Sequence, residues 1–210
     1  MASKPSPVER IQDAGRKLFF EHGFAGVTTD ALVKEASVSK ATLYKYFPSM
    51  TDVLRAVVEA EGDSFREGIP EHFTTQSEFR EALVAFGTKL LTFLNRNDII
   101  QFSQLMLEES RSHPDISKEF YASAYVRSLH ALADVIRLGQ EKGFLHNQLT
   151  SMELAEQLIG MFEGIRCVKS HLGLTKKPFQ NPKQWADKCV QTLLGELHSH
   201  CRDTTSSPNG

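Results

Sequence analysis

Thr28 to Phe47 reads TTDALVKEASVSKATLYKYF, and this stretch decides the fold. Leu32 and Ala36 lie one helical turn apart in its first half, and Leu43 and Phe47 one turn apart in its second. Each half therefore carries one narrow apolar stripe, the pattern of a short amphipathic helix. Thr28 and Ser39 stand where a hydroxyl can accept from an unpaired first-turn amide, so each half has its own cap. Ser37 and Val38 form the break between them. Two small helices joined by so short a turn make a helix-turn-helix unit.

The outward face of the second helix offers Lys40, Thr42, Tyr44, Lys45 and Tyr46, with Ala41 small and apolar among them. The ammonium groups can neutralise phosphates, and the hydroxyls can bond phosphate oxygens or base edges. Ala41 is small enough to let the backbone approach a base and touch a thymine methyl. Taken singly, lysines and tyrosines are ordinary on a solvated helix face. The whole stretch is more specific than its parts.

The longer run VTTDALVKEASVSKATLYKYFPSMTDVL resembles the DNA-binding segment of the TetR family of transcriptional regulators. The resemblance covers about the first sixty residues. It implies DNA contacts by Thr28, Thr29, Ser39, Lys40, Ala41, Thr42, Tyr44, Lys45 and Tyr46. Many members carry Lys just after the Phe-x-x turn, placed to reach a phosphate; Met50 holds that position here. The stretch from Glu108 to Leu145 is similar to the AefR-like subgroup of TetR bodies. The resemblance implies a homodimer that binds a palindromic double-stranded operator, represses transcription, and is released by a small molecule.

Length and charge agree with a small head on a larger body. The chain has 210 residues, 40% of them hydrophobic, enough for a core, and a net charge of −2. Up to Met50 there are seven cations and five acids, leaving seventeen cations and twenty-one acids beyond. A basic head on an acidic body fits a reader of a short DNA site better than a non-specific nucleic-acid coat. The three cysteines, Cys167, Cys189 and Cys201, form no paired motif, and two fall in apolar helical patterns, so buried thiols in a reducing cytoplasm are expected. The N-terminus lacks an apolar signal region, and no charge-free apolar run reaches the ~18 residues of a membrane span.

In chain order, Ser6-Pro7-Val8-Glu9 is a strong helix start, combining a cap, a proline at the first position and a capping box. Ile11, Ala14, Leu18 and Phe19 form the stripe of this first helix, and Gly23 ends it. Ser49 and Asp52 start a fourth helix carrying Val53, Leu54, Val57 and Val58, which in the family links head to body. The expected division is a DNA-binding domain over 1–50, a linking helix over about 50–67, a ligand-binding and dimerisation body over 68–202, and a disordered tail over 203–210. Every later segment is helical in pattern, so the fold class is all-α, with five helices in the body. One of these is a long helix opened by Pro114 and ended by Gly143.

The body is rich in aromatic residues and methionine, which suit an apolar, planar or amphipathic ligand. Phe86, Phe102, Met106, Phe120, Tyr121, Tyr125, Phe162 and Arg166 are the candidate pocket residues, although stripes at this spacing also describe plain core. Gln104 and Arg127 are polar groups beside the same stripes. The resemblance implies that the last two helices are the dimer seam, with Leu158, Met161, Leu193 and Leu197 supplying apolar area and Ala155, Gly160 and Gly164 allowing close approach. His198, His200 and Cys201 do not share one helix face, so no metal site is expected. No nucleophile elbow, phosphate loop or dinucleotide fingerprint is present, so neither catalysis nor a cofactor is expected. The alternative is a DNA-binding regulator with no small-molecule ligand, or an activator, governed by abundance or a protein partner.

Overall fold

A computed structural model of the chain describes residues 5–67, 69–70, 72–146 and 148–195, without the side chain of Phe65. The expectations for Leu197, His198, His200, Cys201 and the tail fall outside these residues. The helices run in the order α1 (Pro7–His22), α2 (Thr29–Glu35), α3 (Lys40–Tyr46), α4 (Met50–Arg66), α5 (Gln76–Leu94), α6 (Asn97–Glu109) and α7 (Pro114–Tyr121). A π-helical segment (Ala122–Val126) then joins α7 to α8 (Arg127–Glu141), followed by α9 (Ser151–His171) and α10 (Pro182–Leu194). Because α7, the π segment and α8 run on without a break, the described residues form nine helical rods and no strand. The long helix expected from Pro114 is thus present, with a wide turn inside it.

Helix starts are set by short polar side chains. Ser6 and Glu9 form a reciprocal capping box, Ser6 Oγ accepting the Glu9 amide at 3.2 Å and Glu9 accepting the Ser6 amide at 2.6 Å. Ser49 and Asp52 repeat it at α4, Thr75 and Glu78 at α5, and Thr150 and Glu153 at α9. Such caps contribute about 1 kcal/mol each. Proline occupies the first turn of α1, α7 and α10, where its missing amide costs no hydrogen bond.

The chain divides into two compact units that do not follow its order. The first takes the residues up to 67 together with 93–128 and 167–178. Its core runs from Ile11, Phe19, Leu32 and Leu43 through Val53 to Phe102 and Met106, so the helix-turn-helix shares one apolar interior with α4 and α6. A β-carbon on Gly15 would lie 2.9 Å from Val53 Cγ1, so this glycine lets α1 and α4 approach closely. Phe20 of α1 stacks on Phe102 of α6 with ring centroids 4.3 Å apart. Charges reinforce the packing. Arg16 bonds both Glu61 and Asp98, and Arg96 reaches the same two carboxylates at 2.9 and 2.8 Å. Arg55 pairs with Glu119 at 2.5 Å, and Arg127 with Glu59 at 3.1 Å.

The second unit comprises residues 68–92, 129–166 and those from 179 onward. Phe79, Leu83, Leu132, Leu158 and Phe162 are fully buried in it. Gly87 sits where a β-carbon would overlap the Phe162 ring and crowd Ala186. Trp185 Nε1 donates to the Phe162 carbonyl at 2.9 Å, and Arg80 pairs with Asp187 at 2.9 Å, which fixes α10. Gly164 has φ 46° and ψ −152° and kinks α9, a conformation that glycine alone adopts cheaply. Leu107, Tyr121 and Ile165 are more than half exposed.

Candidate nucleic-acid interface

The outward face of α3 is built from the turn that precedes it. Ser37 takes a left-handed conformation, φ 52°, and the Val38 amide returns to the Val33 carbonyl at 3.0 Å. Arg10 Nη1 donates to the Ser37 carbonyl at 3.0 Å and ties the turn to α1. Thr28 Oγ1 accepts the Ala31 amide at 3.2 Å, and Ser39 Oγ accepts the Thr42 amide at 3.0 Å, as their spacing predicts. Leu32, Ala36, Leu43 and Phe47 point inward and are buried. The remaining side chains of α3 are thereby turned outward.

Lys40, Ala41, Tyr44, Lys45 and Tyr46 are exposed, as are Thr28 and Ser39, while Thr29 and Thr42 are half-buried. The Thr42 hydroxyl bonds Ser39 Oγ at 2.9 Å. Lys45 Nζ lies 5.4 Å from the centroid of the Tyr46 ring, and among the described residues no carboxylate pairs with it. Lys40 differs. Its ammonium lies 2.7 Å from the Asp30 carboxylate in the first turn of α2, and this hydrogen bond holds the Lys40 pKa above the ordinary lysine range. Tyr44, one turn along from Lys40, brings its hydroxyl 3.4 Å from Thr29 Oγ1. One ridge of α3 therefore leans on the start of α2, and the other, carrying Lys45, is open. Met50 opens α4 and packs half-buried against the head core.

Candidate body residues fall into both units. In the first, Phe102 meets Phe120 edge-on at 5.7 Å, Phe120 meets Tyr125 at 6.1 Å, and Tyr125 stacks on Tyr121 at 5.8 Å. Met106 is buried in the same interior. In the second, Phe86 and Phe162 are buried, and the Arg166 guanidinium lies 4.4 Å from the Trp185 ring centroid. Arg166 also lines a cavity of about 160 Å³ with Gln184 and Lys188. A larger one, about 480 Å³, is lined by His72, Phe73, Thr74, Glu78, Leu138 and Lys142, none of them singled out by the sequence. Leu158 is buried and Met161 and Leu193 half-buried, while Gly160 and Gly164 face open space. Gln104 donates to the carbonyls of Ser170 and His171 at 3.1 Å each, within the first unit. Cys167 and Cys189 are buried, and burial pushes the Cys189 thiol up to about 11. The residues that sequence reasoning missed are Asp30 and Arg10, whose partners lie on another helix and in the α2–α3 turn and leave no mark in local spacing.

Two family descriptions match the chain. "Bacterial regulatory proteins, tetR family" matches residues 11–57, from within α1 through α3 into the first half of α4. "AefR-like transcriptional repressor, C-terminal domain" matches residues 81–196, more than half of the chain. The chain belongs to the TetR family. Its body is of the AefR-like kind, and the TetR family is a non-enzymatic family of DNA-binding transcriptional regulators. The HTH-type transcriptional regulator YvkB of Bacillus subtilis is 28% identical over 167 residues, 79% of this chain and 84% of that protein. The nucleoid occlusion factor SlmA of Vibrio cholerae is 28% identical over 160 residues, 74% of this chain and 79% of that one. Among solved structures, the flavonoid-responsive regulator FrrA superimposes with a TM-score of 0.72 at 26% identity, covering 90% of this chain and 96% of that one. Among the described residues, no helix is long and apolar enough to cross a membrane.

Proposed function

We propose that this TetR-family regulator is a repressor that binds a palindromic operator as a homodimer and is released by a small planar or amphipathic molecule. The observation that carries this reading is the exposed α3 face set on a core shared with α4 and α6. Tyr44 and Lys45 hold the phosphate backbone, while Lys40 and Ala41 face base edges. One recognition helix reads only a few base pairs, so a two-fold pair of heads is needed to find one site in a genome. The pairing surface is α9 with α10, where Met161 and Leu193 are half-buried and Ile165 is an exposed apolar side chain.

Release needs only that the effector bind more tightly to a state whose head spacing mismatches the grooves. The line of aromatic contacts Phe20–Phe102–Phe120–Tyr125–Tyr121 runs from the first head helix to the π segment, and it supports an effector that perturbs this interior. A flavonoid, the effector class in FrrA's name, is of the planar kind proposed. The test is retention of the duplex upstream of the protein's own gene, against random competitor, with flavonoids and acyl compounds added in turn. Site-specific retention lost on adding one compound supports the reading. Retention that no compound alters favours the second reading, a DNA-bound factor without an effector.

A further inference from the structure

We propose that Asp30 is a selectivity determinant of the head, restraining Lys40 so that it reads bases rather than clamping phosphates. This rests on the DNA-reading role of α3 and is independent of any effector. Lys40 is the first residue of α3, and Asp30 lies in the first turn of α2. Their ion pair, at 2.7 Å, is on the surface, with side chains 56% and 78% exposed. It lies beside the Tyr44–Thr29 contact, among the residues assigned to DNA. An ion pair this exposed adds little to stability. Its effect is on the charge presented to DNA.

Sequence-independent binding is set by how many phosphates the protein neutralises, because each one releases counterions. Lys40 and Asp30 together present no net charge. For Lys40 to clamp a phosphate it must leave Asp30 unpaired, or carry a carboxylate up to the phosphate row, and both oppose binding. A base edge imposes neither penalty. The ammonium has three donors, so it can keep Asp30 on one and give another to guanine O6 or N7. Asp30 therefore weakens binding to random DNA more than binding to a site with the right base at that position. Lys45, with which no carboxylate among the described residues pairs, supplies the sequence-independent contact.

The experiment compares the wild-type chain with Asp30→Asn, Asp30→Glu, Lys40→Ala and the Asp30→Asn/Lys40→Ala double variant. Each is titrated against a duplex that the wild type selects from a random pool and against an unselected duplex. Titrations run at about 50 and about 200 mM salt. Asp30→Asn is expected to bind the unselected duplex more tightly, with a salt slope steeper by about 0.9 per engaged head, or about 3.5-fold across that salt range. Its preference for the selected duplex should fall by a similar factor. Asp30→Glu should keep the wild-type slope, and the Asp30→Asn effect should vanish in the Lys40→Ala background. Equal shifts on both duplexes, an unchanged slope, or an effect that persists without Lys40 would overturn the role of Asp30 alone. Failure of the wild type to enrich any sequence would overturn the DNA-reading role with it.

Discussion

Neutralising Glu61 tests how the head is held. Glu61 lies on α4, its side chain 13% exposed, between Arg16 of α1 and Arg96. Glu61→Gln keeps the volume and one acceptor oxygen but removes the charge. Two guanidinium groups then face the single carboxylate of Asp98. Removing one partner of a buried pair costs about 3–5 kcal/mol, and of an exposed pair about 0–1 kcal/mol. Glu61 is nearly buried while Arg16 and Arg96 are each 37% exposed, so a cost of about 1.5–3 kcal/mol follows from the two limits. In a chain of this size that lowers Tm by about 3–12 °C. The assay is thermal and urea unfolding followed by circular dichroism, with Asp115→Asn as control. Asp115 is 93% exposed and 3.6 Å from Lys118, so its loss should cost under about 0.5 kcal/mol. The reasoning is refuted if Glu61→Gln falls within about 0.5 kcal/mol of wild type, or if the control falls as far.

Four other outcomes follow from the same structure. Hydrogen bonds from Arg96 and then Arg16 hold the Asp98 carboxyl down at about 2, against 3.8 ordinarily. A carboxyl depressed in the folded state stabilises above its unfolded pKa and stops doing so as pH falls through the folded value. About 1 kcal/mol, after allowance for solvent screening of a 39% exposed side chain, should therefore be lost between about pH 4 and pH 2, and Asp98→Asn should remove that part of the pH profile of unfolding. Ser37→Gly should stabilise the head by about 0.5–1 kcal/mol in urea unfolding, since serine at φ 52° carries strain that glycine does not. Lys45→Ala should weaken binding to all duplexes alike and make the salt slope shallower by about 0.9 per head, read by fluorescence anisotropy. Met50→Lys should tighten binding and steepen the salt dependence, its stem keeping the half-buried packing of Met50 while the ammonium reaches solvent; an unchanged slope would mean that position faces away from the backbone.

Much of the head could be read in the chain because its signals are local. Thr28, Ser39, Ser6 and Ser49 each sit three residues before the amide they cap, and Leu32/Ala36 and Leu43/Phe47 mark the inward faces one turn apart. The body rods followed from their stripes and from Pro114 at a helix start. What stayed hidden is not local. Ser37 adopts a left-handed turn without the glycine that would announce it, because Arg10 and the Val33 carbonyl hold the turn from outside. Nothing in Ala122–Val126 marks a π turn; it lies where α7 and the segment itself pack on α4. The ion pairs joining Arg16 to Glu61 and Asp98 span 45 and 82 residues. Helical periodicity also cannot separate a cavity wall from a filled core, so Phe162 and Phe102 read alike as lining or packing. The partner of Lys40 lies ten positions back across a turn, beyond any helical repeat.

The central claim is that the α3 face reads DNA, and the most direct measurement is selection of bound fragments from the genome by the purified chain, repeated with the Lys40→Ala and Lys45→Ala variants. The account predicts enrichment of an inverted repeat with half-sites centred about 34–36 Å apart or a multiple of it. Lys45→Ala should retain that sequence at lower yield, while Lys40→Ala should change the preferred base within each half-site. Recovery no different from a random pool, or a Lys40→Ala variant that enriches the unchanged sequence, would contradict it.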